Sequence, residues 1–151
     1  MPKAIIADTS CLIVLSKIGE LTLLARIYGQ ITTTPVIAKE YGEELPDWVT
    51  VLEPADPSKQ RVLELHLDRG EASAIALAME LAASTLILDD QKARKVAERL
   101  GLSYTGTIGI LIKAKRSGHL PALAPILEKI VSSGFHLSDA LRTAALREAG
   151  E

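Results

Sequence analysis

The sequence predicts an α/β fold built around a parallel sheet, and three observations carry that prediction. Short aliphatic and β-branched runs alternate with longer segments of helical periodicity, which is the rhythm of βα units. The 151 residues are 48% hydrophobic, enough for a domain with a sizeable core. The formal net charge of −2 excludes a chain kept disordered by charge repulsion. We therefore expect one domain over residues 1–151, without a linker or an internal repeat.

Strands and helices follow from periodicity and from the residues that start and stop helices. Pro35 suits the first turn of a helix, and Gly19, Gly29 and Gly70 are typical helix stops. The short β-rich runs predict strands at 3–8, 30–34, 48–54 (an edge strand), 85–90 and 102–107. The helical patterns predict helices at 9–29 (one or two), 35–44, 56–70, 71–83, 91–101, 108–118, 120–134 and 138–150.

Composition and charge exclude several classes of protein. No run approaches the roughly 20 apolar residues of a membrane span, and residues 1–10 lack the apolar core of a secretory signal. Cys11 is the only cysteine, so an internal disulfide is impossible, as expected in a reducing cytoplasm. A pI of about 5.9 and 3% aromatic residues are not typical of a constitutive nucleic-acid binder. We expect a cytoplasmic protein without membrane contact.

Two adjacent aspartates, Asp89 and Asp90, follow an apolar run just before a predicted helix. Asp90 has an ordinary role as the N-cap of that helix, and Arg94, four residues later, is spaced for an ion pair with it. Asp89 has no such role. Because ligand sites of open parallel sheets form beyond the carboxyl ends of the strands, Asp89 lies where a functional site is expected.

Three further acids occupy comparable positions. Asp8 ends the first strand, Glu40 lies about one and a half turns into the helix after the second strand, and Glu71 opens the helix after Gly70. Taken singly, each has a structural role as a cap, a solvated residue or a first-turn acid. Together with Asp89, they place carboxylates from separate βα units at one sheet edge. Such oxygen ligands suit Mg²⁺ or Mn²⁺, whereas no Cys/His cluster offers a zinc site.

Converging carboxylates repel one another in the absence of a metal. At least one of them should therefore have a raised pKa in the folded protein. On the same reasoning, Asp89→Asn should leave the metal-free protein at least as stable as the wild type at neutral pH.

Other chemical motifs are weak or absent. The sequence lacks the GxxxxGK[ST] phosphate loop and the GxSxG nucleophile elbow. Lys92, Lys95 and Arg99 fall on one helical face beside the acids, where they either remain solvated or contact phosphates.

Five segments spread along the chain carry a family resemblance: IIADTSCLIVLSKIGEL, TTTPVIAKEY, LDRGEASAIALAMEL, LILDDQKARKVAERLGL and YTGTIGILIKAKRSG. In these segments the chain resembles the PIN domain family, the small metal-dependent ribonucleases that include VapC-like toxins, and most closely a prokaryotic PIN-like subfamily. The resemblance implies a three-layer α/β/α fold with a central parallel sheet. Many PIN nucleases carry Asp at the position of Glu71, so this chain has one longer ligand there.

The resemblance also implies roles for individual residues. It assigns the metal-binding acidic quartet to Asp8, Glu40, Glu71 and Asp89, with Asp90 as an auxiliary acid. Thr9 and Thr107 correspond to the small hydroxyl residues near the metals.

The function implied by the resemblance is an endoribonuclease that hydrolyses RNA phosphodiester bonds with Mg²⁺ or Mn²⁺. One form of that role is the toxin of a toxin–antitoxin pair, with a small antitoxin as partner and a homodimer as the assembly. A catalytically silent PIN-like module for protein contacts is the main alternative. A phosphoryl-accepting receiver-like domain is disfavoured, because it needs an acidic pair after the first strand and a lysine after the last one, where the sequence has Asp8-Thr9 and YTGT.

Overall fold

The computed structural model describes residues 3–151 of the chain, so Met1 and Pro2 lie outside the described residues. The strands are β1 (Ala4–Ala7), β2 (Ile31–Thr33), β3 (Val49–Val51), β4 (Ser84–Ile87) and β5 (Ser103–Thr105). The helices are α1 (Thr9–Lys17), α2 (Leu23–Tyr28), α3 (Pro35–Tyr41), α4 (Pro57–Leu63), α5 (Arg69–Glu80), α6 (Gln91–Arg99), α7 (Thr107–Arg116), α8 (Ala124–Ser132) and α9 (Asp139–Glu148).

All strand pairs of the sheet are parallel, in the spatial order β3-β2-β1-β4-β5. With helices on both faces, the architecture is the three-layer α/β/α fold that the sequence predicts. The chain moves outward from β1 to β3 and then returns to place β4 on the other side of β1. The switch point of the sheet therefore lies between β1 and β4, where open α/β sheets form their ligand sites.

The core is formed by aliphatic side chains from the two central strands and the helices packed on them. Ile6, Leu86 and Ile87 are fully buried in β1 and β4. Helix α5 contributes a continuous buried run from Gly70 to Ala78, because it packs against α3, α4 and β4 at once. This helix is therefore a central element of the structure, and its N-terminal end faces the sheet edge where β1 ends.

The predicted helix over 56–70 is wrong in its second half. Helix α4 ends at Leu63, and a turn separates it from α5. Asp68 caps α5 by accepting the backbone N–H of Glu71 at 2.8 Å. Gly70 is consequently the second residue of α5 and not the stop of the preceding helix.

The other predicted elements are confirmed within a few residues of their ends. The segment 9–29 forms two helices, and the strand predicted at 48–54 is β3, at one edge of the sheet. Within residues 3–151, none of the helices has both the length and the apolar character that crossing a bilayer requires.

Candidate active site

A cleft of about 290 Å³ opens at the carboxyl end of the sheet beside the switch point. Five acids line it together with two small hydroxyl residues: Asp8, Thr9, Ser10, Glu40, Asp68, Glu71 and Asp90. We call this cavity the acidic cleft. Three members of the predicted quartet share it, whereas the fourth, Asp89, lines an adjoining groove. Asp89 still lies close enough for its charge to act on Asp8.

Asp8 stands at the end of β1, where extended backbone leads directly into α1. Its side chain is 6% exposed. The pKa of Asp8 is raised to about 7, chiefly by burial and also by the nearby charges of Asp68, Glu40 and Asp89, against the lowering effect of the Thr9 backbone N–H. The expected raised pKa in the acidic cluster is thus confirmed, with burial as its largest cause.

Glu40 reaches the cleft because hydrogen bonds join the start of α3 to the N-terminal part of α5. The Ser73 hydroxyl donates to the Gly70 carbonyl, and the Thr34 hydroxyl lies 2.7 Å from that of Ser73. The Thr34 hydroxyl also caps α3. These hydrogen bonds fix the position of α3 relative to α5, and therefore the position of Glu40.

The carboxylate of Glu40 makes a hydrogen bond on one side and a close steric contact on the other. Oε1 accepts a hydrogen bond of 2.8 Å from the Thr9 hydroxyl. On the other side it lies against Gly70, in the space that a β-carbon at that position would occupy. Gly70 is therefore required for the close approach of Glu40 to α5.

Glu71 is the most enclosed acid of the cleft apart from Asp8. Its side chain is 7% exposed, and the buried oxygen Oε2 has no hydrogen-bond partner. Burial raises the pKa of Glu71, and a side-chain hydrogen bond with Asp68 and the charges of Asp68, Asp90 and Asp8 raise it further. A buried carboxyl group with an unpaired oxygen needs either a proton or a cation.

Asp89 has a structural role that the sequence did not indicate. The backbone N–H of Thr107 donates to Oδ1 at 2.8 Å, and the Thr107 hydroxyl donates to Oδ2 at 2.6 Å. Gly106, the N-cap residue of α7, has no side chain that could accept a hydrogen bond from the first turn of the helix. Asp89, which follows the neighbouring strand β4, caps α7 instead. Gly106 has no β-carbon, and this leaves room for the Asp89 carboxylate and the Arg94 guanidinium beside it.

Asp90 caps α6 as predicted, because its carboxylate accepts the backbone N–H of Ala93 at 2.9 Å. The predicted ion pair between Asp90 and Arg94 is wrong. Arg94 instead donates from Nε to the Leu88 carbonyl at 2.7 Å, and its terminal nitrogen lies 3.9 Å from Oδ1 of Asp89. The helix turns the long Arg94 side chain back towards the end of β4, away from Asp90.

The donor set of the acidic cleft fits a hard divalent cation in its chemistry, because all its members are oxygen ligands and one buried oxygen is unpaired. In the described part of the chain, no three His, Cys, Asp or Glu side chains are arranged to bind a metal ion as they stand. Glu40 and Asp89 each accept a hydrogen bond from a threonine hydroxyl, and Asp68 and Asp90 each cap a helix.

Sequence reasoning missed Asp68, which lies three residues before Glu71. The available signal was the spacing of an N-cap acid and a glutamate before an apolar run, which is the capping-box pattern. The wrong boundary of α4 concealed it, because the helix predicted over 56–70 includes Asp68.

Comparison with known proteins agrees with the fold. A family model described as a PIN domain matches residues 4–151. No curated protein matches the chain significantly. PIN domains are generally nucleases that act on RNA with divalent metals. Because the matching model covers nearly the whole chain and the sheet has the expected parallel order, this protein belongs to the PIN domain family.

Proposed function

We propose that the chain is a divalent-metal-dependent endoribonuclease that hydrolyses RNA phosphodiester bonds. The observation that carries this proposal is the unpaired, buried Oε2 of Glu71 in a cleft of five acids beside the switch point. Burying the carboxyl groups of Asp8 and Glu71 opposes folding, and a cation bound by them offsets that cost. Membership of a family of nucleases supplies the class of reaction.

Asp8, Glu40, Glu71 and Asp89 would hold Mg²⁺ or Mn²⁺, with Asp90 and Asp68 beside them. When bound, a divalent cation lowers the pKa of water and neutralises charge on a phosphodiester. Two threonines position the acids for metal binding, because the Thr9 hydroxyl orients Glu40 and Thr107 orients Asp89. In the metal-free protein, burial and the neighbouring Asp68 raise the pKa of Glu71 and so favour its protonated form.

The proposal is tested by an RNA cleavage assay with Mn²⁺ in which cleavage sites are mapped on total RNA. Wild-type protein should cleave, chelation by EDTA should stop cleavage, and Asp8→Asn should reduce the rate at least roughly 100-fold, because Asp8 is a buried member of the cleft. Asp56→Asn is the matched control, since Asp56 is an exposed cap of α4 and Asn caps a helix equally well. Cleavage that persists in Asp8→Asn would show a contaminating nuclease and defeat the proposal.

The two alternatives give distinct outcomes. A catalytically silent module would bind Mn²⁺ weakly and leave RNA intact after separation from any partner. A receiver-like domain would incorporate phosphate from a small phosphodonor. The role of Asp89 as a helix cap disfavours the receiver, because the strand-end acid is already bonded to Thr107.

We further propose, from the family resemblance, a homodimer and a toxin role with a small antitoxin. Val62, Met79 and Leu100 are exposed around one apolar depression, which is a surface that a second copy can cover. Light scattering that gives a monomer at high concentration would exclude the homodimer. Purification from the native host without a bound partner would argue against the toxin role, and a role in RNA processing would then remain.

A further inference from the structure

A second cavity of about 820 Å³ adjoins the acidic cleft. It runs between α1, the start of α7 and the connection from α8 to α9. We call it the side groove. Arg94 and Tyr104 lie at its polar end beside Asp89, and Phe135 and Leu137 form part of the far wall. Nothing in the proposed metal chemistry accounts for a cavity of this size and composition.

The side groove and the acidic cleft are neighbours. Ser10, the second residue of α1, lines both cavities. The adjacent aspartates divide between them, with Asp90 on the cleft and Asp89 on the groove. A chain molecule with its reacting bond in the cleft would therefore have the groove beside it.

Both aromatic rings of the groove carry a cation on one face. The guanidinium carbon of Arg94 lies 5.4 Å from the centre of the Tyr104 ring, and the Lys17 ammonium lies 5.6 Å from that of Phe135. Arg94 is held in this position by the Leu88 carbonyl and by Asp89. The Arg94 guanidinium thus lies over one face of Tyr104 in an orientation fixed by the Leu88 carbonyl and Asp89.

This use of aromatic residues is selective. The chain contains one phenylalanine and three tyrosines, and its only phenylalanine and one of those tyrosines line this groove. The lining also includes aliphatic side chains, with Ile13, Ile108 and Ile112 among them. Flat apolar walls with a guanidinium at one end match a nucleobase, which has π-faces and polar edges.

The charges favour a base over a phosphate and over an apolar helix. Asp89 and Glu148 both line the groove, so it would repel a phosphate held deep inside it. Cations over the rings and an opening onto a proposed phosphodiester site suit a nucleic acid better than the apolar face of a protein partner.

We propose that the side groove binds a base of single-stranded RNA next to the bond held in the acidic cleft, with Tyr104 and Phe135 as its stacking residues. The proposal deepens the proposed function and rests on it for the identity of the substrate. It makes the groove the determinant of which nucleotide lies beside the cleavage site.

Binding is measured on the metal-free protein by NMR, with 5′-AMP and 5′-UMP as probes and ribose 5-phosphate as the probe without a base. The amide signals of residues 104–108 and 135–137 should shift in a saturable way with the mononucleotides and not with ribose 5-phosphate. Tyr104→Leu and Phe135→Leu should each weaken mononucleotide binding about tenfold. Tyr28→Leu, which changes a ring outside the groove, should leave the affinity unchanged.

Failure of this proposal and failure of the proposed function are distinguishable, because the NMR measurement needs neither metal nor cleavage. Nucleotide binding without any RNA cleavage would remove only the nuclease activity. Equal shifts with ribose 5-phosphate, or no shifts with any probe, would overturn the base site. A dimer that dissociates on Phe135→Asp would also overturn it, since the groove would then be a protein interface. If RNA is cleaved, Tyr104→Leu should change the nucleotide found at the cleavage sites and raise KM more than it lowers kcat.

Discussion

The protonation of Glu71 is linked to folding. The pKa of Glu71 is raised in the folded protein, so its protonated carboxyl contributes fully to stability when the pH is below the ordinary pKa of 4.5. This contribution is lost as the pH rises towards the folded pKa. The pKa of Asp8 is raised as well. Its contribution to stability is therefore lost as the pH rises from the ordinary pKa of 3.8 to the folded pKa of about 7. The metal-free protein should therefore be less stable at pH 8 than at pH 5.

Glu71→Gln should stabilise the metal-free protein increasingly as the pH rises. Glutamine is neutral at every pH and can still donate to Asp68, so the variant avoids the cost of ionising a buried carboxyl. Thermal melts in EDTA from pH 5 to pH 8 measure the effect. Glu43→Gln, on an exposed loop, is the control. A difference in Tm between Glu71→Gln and wild type that stays constant over this range would contradict the prediction.

Asp89→Ala should destabilise the metal-free protein by about 1 kcal/mol or more, because α7 loses its cap and Arg94 loses its partner. The expectation from charge repulsion concerns a different variant, Asp89→Asn, which keeps a side-chain oxygen for the Thr107 backbone N–H. A double-mutant cycle with Thr107→Val, followed by urea denaturation, isolates the contribution of the hydrogen bond from the Thr107 hydroxyl to Asp89. If the two substitutions prove additive, Asp89 does not stabilise α7 through the side chain of Thr107.

At the level of elements, the packing of α3 on α5 decides where the proposed metal ligand Glu40 lies. The hydroxyls of Thr34 and Ser73 join the first turns of the two helices, and Gly70 allows the Glu40 carboxylate to approach the backbone of α5. The helix ends at this point are consequently both structural joints and parts of the proposed site.

Gly70→Ala should displace Glu40 and remove most of the rise in Tm that Mn²⁺ produces in the wild type. The new methyl group takes the space of the carboxylate, although alanine is otherwise the better helix former by about 1 kcal/mol. Combining Gly70→Ala with Glu40→Ala tests whether a steric conflict with the Glu40 carboxylate causes the effect. The double variant should be more stable than Glu40→Ala alone, because the steric conflict has gone. A double variant that is less stable than Glu40→Ala would show that Gly70 is needed for a contact other than Glu40.

At the level of the whole molecule, the sheet brings together acids that are far apart in the chain. Asp8 follows β1 and Asp89 follows β4, and these strands are neighbours at the switch point. Burial of carboxyl groups at this edge makes metal binding, protonation and folding compete for the same oxygens. Stability should therefore depend jointly on pH and on divalent metal.

Mn²⁺ should raise the Tm of the wild type more at pH 8 than at pH 6, and EDTA should reverse the rise. The reason is that the cation must displace protons from Asp8 and Glu71, and these protons are held more firmly at the lower pH. Asp8→Asn should reduce the shift and flatten its dependence on pH. A shift of equal size at both pH values would place the bound cation away from these two acids.

Much of the architecture follows from local patterns. The βα rhythm predicts the parallel sheet, and Asp8 and Asp89 are site candidates because strand ends meet at one edge. The boundary between α4 and α5 does not follow from such patterns, since Gly70 resembles a helix stop when its contact with Glu40 is unknown. That single error concealed Asp68, the cap of α5 and a member of the acidic cleft.

The sequence by itself determined the fold class through its periodicity and the family through its motifs. It also pointed to four of the five acids of the cleft, Asp8, Glu40, Glu71 and Asp90. The tertiary structure decided how the acids divide between two cavities, which of them have raised pKa values, and which partner Arg94 takes. These features depend on contacts such as Thr9 with Glu40 and Asp89 with Thr107, which join residues 31 and 18 positions apart. Burial and hydrogen bonding between distant segments set the chemistry of each carboxyl group, and no local pattern contains them.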